Sequence, residues 1–499
     1  MNYIFIIFRK NKCPKKHKYM LRLRLNKTTL IIINVTIFVF IIYKSLFLLS
    51  KVDNREIGYE LLLAFFSSLL SLLPFTFSWY KLGKPRLTDW VKFSTFMYLI
   101  FNYYNIADLL ESKEVGIYAE NYVNSSYVYE ALLAIFIGLV IINFIDFIFL
   151  LFINNKKIKK IDYKLKSKFV LRNERVFIIS SLSFLGLMYL LLATGAIGYG
   201  GSEESNTGSY SFLFQIINVI SPIFYLSYVI LKYMLNYRSR RFNQAFNIYM
   251  FFYILIGLIT GMKGILIFGI VLFLIPYLTF GRSIKLKYVV LSFLFLLILY
   301  PLNNNYRDIL VQNQSVSKIT ALQLAAVKTI SLDFNQGIST SKNSYTDRIA
   351  MLPYLVFSIE KEKEWNNYKN LDRFVYLPVS LVPRFIIPEK PQEENGLKLQ
   401  EMIVKGVKNS PTPTIYGWAY LEGGYIYVVF HLFLLSVFLN YFDFNIKKDS
   451  IFYLILYANL LVKSIFIEQD VYFFIASLFQ MLLVYYFFTK LYFVEVKNN

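Results

Sequence analysis

Long apolar runs alternate along the chain with short polar segments, and that alternation predicts its elements. "TTLIIINVTIFVFIIYKSLFLLS" and "VYEALLAIFIGLVIINFIDFIFLLFI" are two such runs, each with few charges. Either is long enough to cross about 30 Å of hydrocarbon at roughly 1.5 Å per residue. Twelve spans are predicted on this basis, at 29–49, 59–80, 91–110, 129–153, 176–198, 211–232, 245–261, 264–280, 288–303, 414–438, 451–467 and 471–489. The expected fold class is therefore an all-α polytopic membrane protein of about 12 transmembrane helices. A basic tail, 1–28, precedes nine spans over 29–303, one large loop over 304–413, and three spans with a short terminus over 414–499.

The loops assign the two faces. "KLGKPR", "KKIKKIDYKLKSKFVLRNER", "KYMLNYRSRR", "GRSIKLK" and "NIKKD" share one side with the N-terminal tail. "KVDNRE", "ESKEVGIYAENYVNSS", "GSEESNTGS" and "EQD", on the other side, are balanced or acidic. Lysine and arginine collect in cytoplasmic loops, so both termini are expected in the cytoplasm and the 304–413 loop outside. The opening segment has its short apolar run before its charges, the reverse of a secretory signal.

Composition agrees with the pattern and narrows the function. Charged residues are 17% of the chain and aromatics 19%, with 49 Phe and 41 Tyr, whereas a soluble domain has about 25% charged residues. The net charge of +22 is accounted for by the basic loops, so no nucleic-acid partner is expected. One cysteine, Cys13, excludes an intramolecular disulfide, and two histidines, His17 and His431, leave no basis for a metal site. No metal or other cofactor is expected. There is no Walker A loop, and the outer loop has no GxSxG elbow. With only short cytoplasmic loops, any chemistry is expected at the outer face on a membrane-borne substrate.

The 304–413 loop is long but contains apolar stretches such as "ITALQLAAVKTISL" and "RIAMLPYLVFSI" at helical spacing. Short helices are expected there, on the outer membrane surface or over a cavity. The loop carries Arg307, Arg348, Arg373 and Arg384, with Lys342, Lys390 and Lys398, and Asp308 and Asp372 stand beside two of the arginines. Arginine matches phosphate oxygens bidentately and stays charged, which suits a diphosphate; pairing with carboxylates or lipid headgroups is the plainer reading of each. In "LVPRFIIPEKP", 381–391, the prolines hold Arg384 and Lys390 in a braced turn. Lys263, at a tight outer turn, reaches a substrate phosphate or snorkels. Glu422 lies about two turns into the tenth span, where a carboxylate needs a wet cavity or a partner. Gly423 and Gly424 behind it permit close contact or a bend. His431, about 13 Å deeper at 1.5 Å per residue, is read as a packing histidine. Asp146 is expected to pair within the bundle. Tyr416, Trp418 and Tyr420 are read as interfacial-belt residues, with stacking on sugars as the alternative.

"LVPRFIIPEKP", then "ENG", then "SPTPTIYGWAYLEGGYIYVVFHLFLL" resembles the O-antigen polymerase family, the Wzy-type oligosaccharide repeat-unit polymerases. The resemblance covers 381–435, the number of spans and the late outer loop. The chain departs from the family pattern at Trp418, where an acidic residue is frequent, and in a spacer from Arg384 to Gly396 that is one residue longer.

The resemblance implies polymerisation of undecaprenyl-diphosphate-linked oligosaccharide repeat units into a surface polysaccharide: O-antigen, capsule or exopolysaccharide. That reaction belongs at the outer face of the bacterial cytoplasmic membrane, alongside a flippase and a chain-length regulator. It is a metal-independent glycosyl transfer without cofactor. Arg384 is the expected catalytic cation, with Arg307, Arg348, Arg373, Lys390 and Lys263 holding diphosphate or glycan. Glu422 is the expected base or hydroxyl-orienting group. The alternatives are an O-antigen ligase, which typically carries an outer-loop histidine absent here, and a flippase or exporter of lipid-linked oligosaccharides, which calls for charges along many inner spans.

Overall fold

The computed structural model describes residues 22–23, 27–51, 55–82, 85–105, 116–118, 121–122, 125–154, 168–193, 207–260, 284–285, 318–331, 351–365, 412–445 and 451–496, with isolated positions between 269 and 316 and between 378 and 402. The helices are α1 (Lys27–Lys51), α2 (Arg55–Leu82), α3 (Leu87–Thr95), α4 (Val128–Asn154), α5 (Glu174–Ala193), α6 (Thr207–Val229), α7 (Arg240–Ile259), α8 (Lys318–Ser331), α9 (Leu352–Glu360), α10 (Glu362–Trp365), α11 (Thr414–Asn445), α12 (Ile451–Ile465) and α13 (Val471–Tyr492). Among the described residues, six helices are long and apolar enough to cross a membrane: Gly58–Ser78, Val128–Phe152, Glu174–Leu192, Arg240–Ile259, Thr414–Phe444 and Val471–Tyr492. Val35–Ser50, Val219–Tyr233 and Ile451–Ile465 are shorter apolar helices. The chain is thus a helical membrane protein. The spans expected at 264–280 and 288–303, and most of the 304–413 loop, lie outside the described residues.

Side chains sort as lipid requires. Phe152 is 74% exposed and Phe487 67%, whereas Ser67, Asp89, Lys92 and Asn440 are fully buried. Polar groups inside hydrocarbon must find partners inside the protein. The aromatic surplus builds much of the interior: Phe177, Phe224, Tyr228, Phe488 and Tyr492 join α5, α6 and α13 in edge-to-face contacts with centroids 4.9–6.5 Å apart.

Two short strand pairs connect segments that the charge pattern places on one face. β1 (Arg22–Leu23) pairs antiparallel with β5 (Ile284–Lys285), and β4 (Lys168–Leu171) with β6 (Phe493–Val496). The chain must return to the same face between each pair of partners. β2 (Gly116–Tyr118) and β3 (Asn121–Tyr122) form a hairpin in the opposite loop set.

At the basic-face end, an ionic cluster ties α3 to α4 and α11. Arg86 precedes α3, and Asp89 accepts its backbone N–H at 2.9 Å, satisfying a helix-entry donor. Asp146 of α4 accepts from Arg86 at 2.9 Å, Lys92 at 2.7 Å, Thr88 at 3.1 Å and Asn440 of α11 at 2.7 Å. Asp89 completes the set, 3.2 Å from Arg86 and 2.9 Å from Lys92. Asp146 therefore pairs within the bundle as expected, and two cations face two carboxylates. This end of the bundle thus carries four buried charged side chains, Arg86, Asp89, Lys92 and Asp146.

Candidate functional site

The tenth expected span is not one helix. Along the later part of α11, residues advance in step with α4: Tyr425 bonds the Glu130 carbonyl, Leu432 faces Gly138, Asn440 meets Asp146, and Phe444 stacks on Phe149. A continuous helix would carry Tyr416 well above Glu130. Instead Tyr416 lies beside Gly138, about 12 Å further in along α4. The chain doubles back at Gly423 and Gly424, which have non-helical backbone. Gly424 has φ 66° and ψ −150°, a conformation essentially reserved for glycine. A Cβ at Gly423 would run into the Tyr427 ring, so the close return also needs that residue small. Residues 414–422 are thus a re-entrant helix, and 425–445 make the crossing.

Neighbouring elements keep the hairpin in place. Ile415 donates its N–H to Ile467 at 2.9 Å, and Trp418 Nε1 donates to the Glu468 carbonyl at 3.3 Å. These bonds draw the 466–470 turn down against the re-entrant helix. The α9 helix is drawn in as well: Met351 N–H bonds Tyr98 O at 3.2 Å, and Leu352, Leu355, Val356 and Ser358 are fully buried. That differs from a helix lying on the outer surface, because "LPYLVFSI" offers apolar residues on every side. Tyr416 and Trp418 are likewise buried, against Thr95 and Trp365, and do not form an interfacial belt. Tyr420 is half-buried and meets Tyr425 edge-on, with ring centroids 5.1 Å apart.

The hairpin brings Glu422 to His431. On a continuous helix the two would stand about 13 Å apart on opposite sides. In the folded chain, Glu422 Oε2 is 3.1 Å from His431 Nε2, which also lies 3.0 Å from the Tyr472 hydroxyl of α13. The expected depth separation is therefore overturned by the glycine break. Facing a carboxylate, Nε2 carries the imidazole proton and donates it to Glu422. His431 is fully buried, and its Nδ1 has no hydrogen-bond partner. Glu130 Oε2 at the start of α4 is also buried and unpartnered, as is Thr414 Oγ1 at the start of the re-entrant helix.

No family model, no curated protein and no solved structure matches this chain.

What the site can do follows from its groups. A carboxylate oriented by an imidazole, itself in contact with a phenol, can accept a proton from a hydroxyl or hold that hydroxyl in line. The Tyr427 and Tyr472 rings flank the imidazole, with centroids 6.0 and 4.9 Å from it. Among the described residues, no three of His, Cys, Asp and Glu gather as metal ligands. Of the other predicted site residues, Arg384, Arg307, Arg348, Arg373, Lys390 and Lys263 lie outside the described residues. Sequence reasoning missed His431 as the partner of Glu422, and Tyr472 as the partner of His431. The signal was present in the adjacent glycines, read as permitting a bend but not a reversal.

A separate recess of about 610 Å³ opens at the basic face, lined by Asn173, Glu174, Arg175, Ser239, Arg240 and Arg241. Glu174 accepts from Tyr237 at 2.7 Å and Ser239 at 2.6 Å there. Burial and that contact with Glu174 push the Tyr237 hydroxyl up to about 12, keeping it a donor. The arginines are those that the charge rule places on this face.

Proposed function

We propose that the chain is a membrane-embedded polymerase that joins lipid-diphosphate-linked oligosaccharide repeat units at the outer face of the bacterial cytoplasmic membrane. The observation that carries this reading is the hairpin: it lies within the segment that resembles the polymerase family, and it sets a buried carboxylate–imidazole pair beside tyrosines. The acceptor hydroxyl oxygen attacks the anomeric carbon of the donor glycan. The carbon–oxygen bond to the lipid diphosphate breaks, and the leaving diphosphate takes the electron pair. The hydroxyl proton passes to the Glu422 carboxylate, which His431 orients, with Tyr472 placed against the imidazole. Arg384, with Arg307, Arg348, Arg373, Lys390 and Lys263, supplies positive charge to the leaving group. A flippase and a chain-length regulator are the partners this reaction calls for, and both termini are assigned to the cytoplasm.

A ligase-type transfer to a lipid acceptor uses the same donor, and the histidine beside Glu422 keeps it as the second reading. Purified protein in lipid vesicles, given undecaprenyl-diphosphate-linked repeat units alone, is expected to produce a ladder spaced by one repeat. Unextended native repeat units would refute polymerisation, and extension only after adding a core-type acceptor would establish the ligase.

A further inference from the structure

We infer that Lys463 is a binding residue for a phosphate-bearing lipid headgroup in the half of the bundle that holds the hairpin. Lys463 lies near the end of α12, just before the 466–470 turn. That turn is tied to the re-entrant helix through Ile467 and Glu468, so it sits within the bundle and not above it. An intramembrane cation normally finds a carboxylate, as Lys92 does with Asp89 and Asp146. Lys463 finds none among the described residues. Its Nζ contacts Ser477 Oγ at 2.7 Å and Gln469 Oε1 at 3.3 Å, with the Phe474 ring centroid 5.5 Å away.

Those contacts hold an ammonium in place without neutralising it. Ser477 donates its own proton to the Phe474 carbonyl at 3.0 Å, which leaves its oxygen turned to Lys463. Two of the three ammonium donors are thereby engaged. The third is left for an anion, and the residue is partly accessible. Snorkelling does not account for the arrangement. Lys232 shows that behaviour: its amine, over the Phe246 ring at 3.9 Å, makes an exposed contact with Asn247 next to a basic loop. Lys463 is fixed between α12 and α13 instead. The fitting ligand is a singly or doubly charged phosphate on a lipid, which brings its counter-charge while its tail stays in hydrocarbon. A polyprenyl diphosphate and an ordinary anionic phospholipid share that chemistry.

The site stands without the polymerase reading; only the choice of a polyprenyl probe rests on it. Full-length protein in neutral-lipid nanodiscs would be titrated with undecaprenyl diphosphate, phosphatidylglycerol and uncharged undecaprenol, following binding and melting temperature together. The parent is expected to bind at least one phosphate lipid at least tenfold more tightly than undecaprenol. Lys463→Met should lose that preference at unchanged or higher melting temperature, and Lys463→Arg should keep it. Selectivity for undecaprenyl diphosphate would identify the polyprenyl carrier as the source, and equal binding of phosphatidylglycerol a general headgroup site. Unaltered phosphate-lipid binding by Lys463→Met overturns the inference, and so does failure of that variant to fold, which would make the lysine structural. A missing polymer ladder with lysine-dependent binding would remove the polymerase reading alone.

Discussion

Asp146→Asn probes the ionic cluster that anchors the hairpin's return helix. Asp146 accepts four hydrogen bonds, from Arg86, Lys92, Thr88 and Asn440, at 2.7–3.1 Å. Arg86 and Lys92 are otherwise held by Asp89, and Asp443, bonded to the Leu87 N–H, adds its charge beside Arg86. The amide removes a charge and sets N–H groups against N–H groups, leaving Lys92 and Arg86 to share Asp89 as their remaining ion-paired carboxylate. Breaking a buried pair in this way costs about 3–5 kcal/mol, a large share of the roughly 5–15 kcal/mol typical of folded proteins. Thermal unfolding in nanodiscs at one fixed scan rate should show a fall of about 3–5 °C. The double variant Asp146→Asn with Lys92→Met restores the parent's charge balance with an uncharged chain of similar length. It should recover about 1–3 kcal/mol relative to the sum of the single changes. A parent-like melting temperature for Asp146→Asn, or strict additivity in the double variant, would show that the cluster is not electrostatically coupled.

The glycine turn offers a backbone test. Gly424→Ala meets no atom within 4 Å but forces alanine into a glycine conformation, costing about 1–3 kcal/mol; unchanged stability and activity would argue against the hairpin. Glu422→Gln should lower polymer turnover about 10²-fold or more at similar KM, with His431→Gln retaining part of the rate because its amide still orients the carboxylate; parent-like kcat in Glu422→Gln removes the proton-accepting role. Arg384→Ala should abolish ladder formation at normal protein abundance, and full activity would take that arginine out of the reaction.

The span pattern was readable because crossing a membrane leaves a coarse signature of length and apolarity, which α2, α4, α5, α7 and α13 all carry. Asp146 was readable too, since a carboxylate in an apolar run needs a partner. The hairpin was not. Hydropathy treats "YGWAYLEGGYIYVVFHLF" as one apolar run, and a reversal inside the membrane changes none of its values. What decides it is non-local: the re-entrant helix needs Ile467 and Glu468 to accept its hydrogen bonds, and Gly138 to let Tyr416 approach α4. Lys463 escaped notice for a related reason. Near the end of a span it looks like a snorkelling lysine until the following turn is seen to lie inside the bundle.

The two ends of the bundle differ in a way that bears on mechanism. Near the basic face, Arg86 and Lys92 are buried against Asp89 and Asp146. Towards the other face, the chain reverses at Gly423 and Gly424 within the bundle, and broken backbone is tolerated there only where it is buried or lines a cavity. A flippase must open to both faces in turn. Opening through this cluster would pull Arg86 and Lys92 from Asp146 in a low-dielectric medium, where that attraction is strongest. An enzyme working from one face needs no such opening and gains from a floor that does not yield. The neutralised pair, Asp146→Asn with Lys92→Met, separates the cases. A one-sided enzyme should keep its rate once the protein is folded, since the cluster touches no substrate. A transporter that uses the cluster as its gate should show a large change in translocation rate.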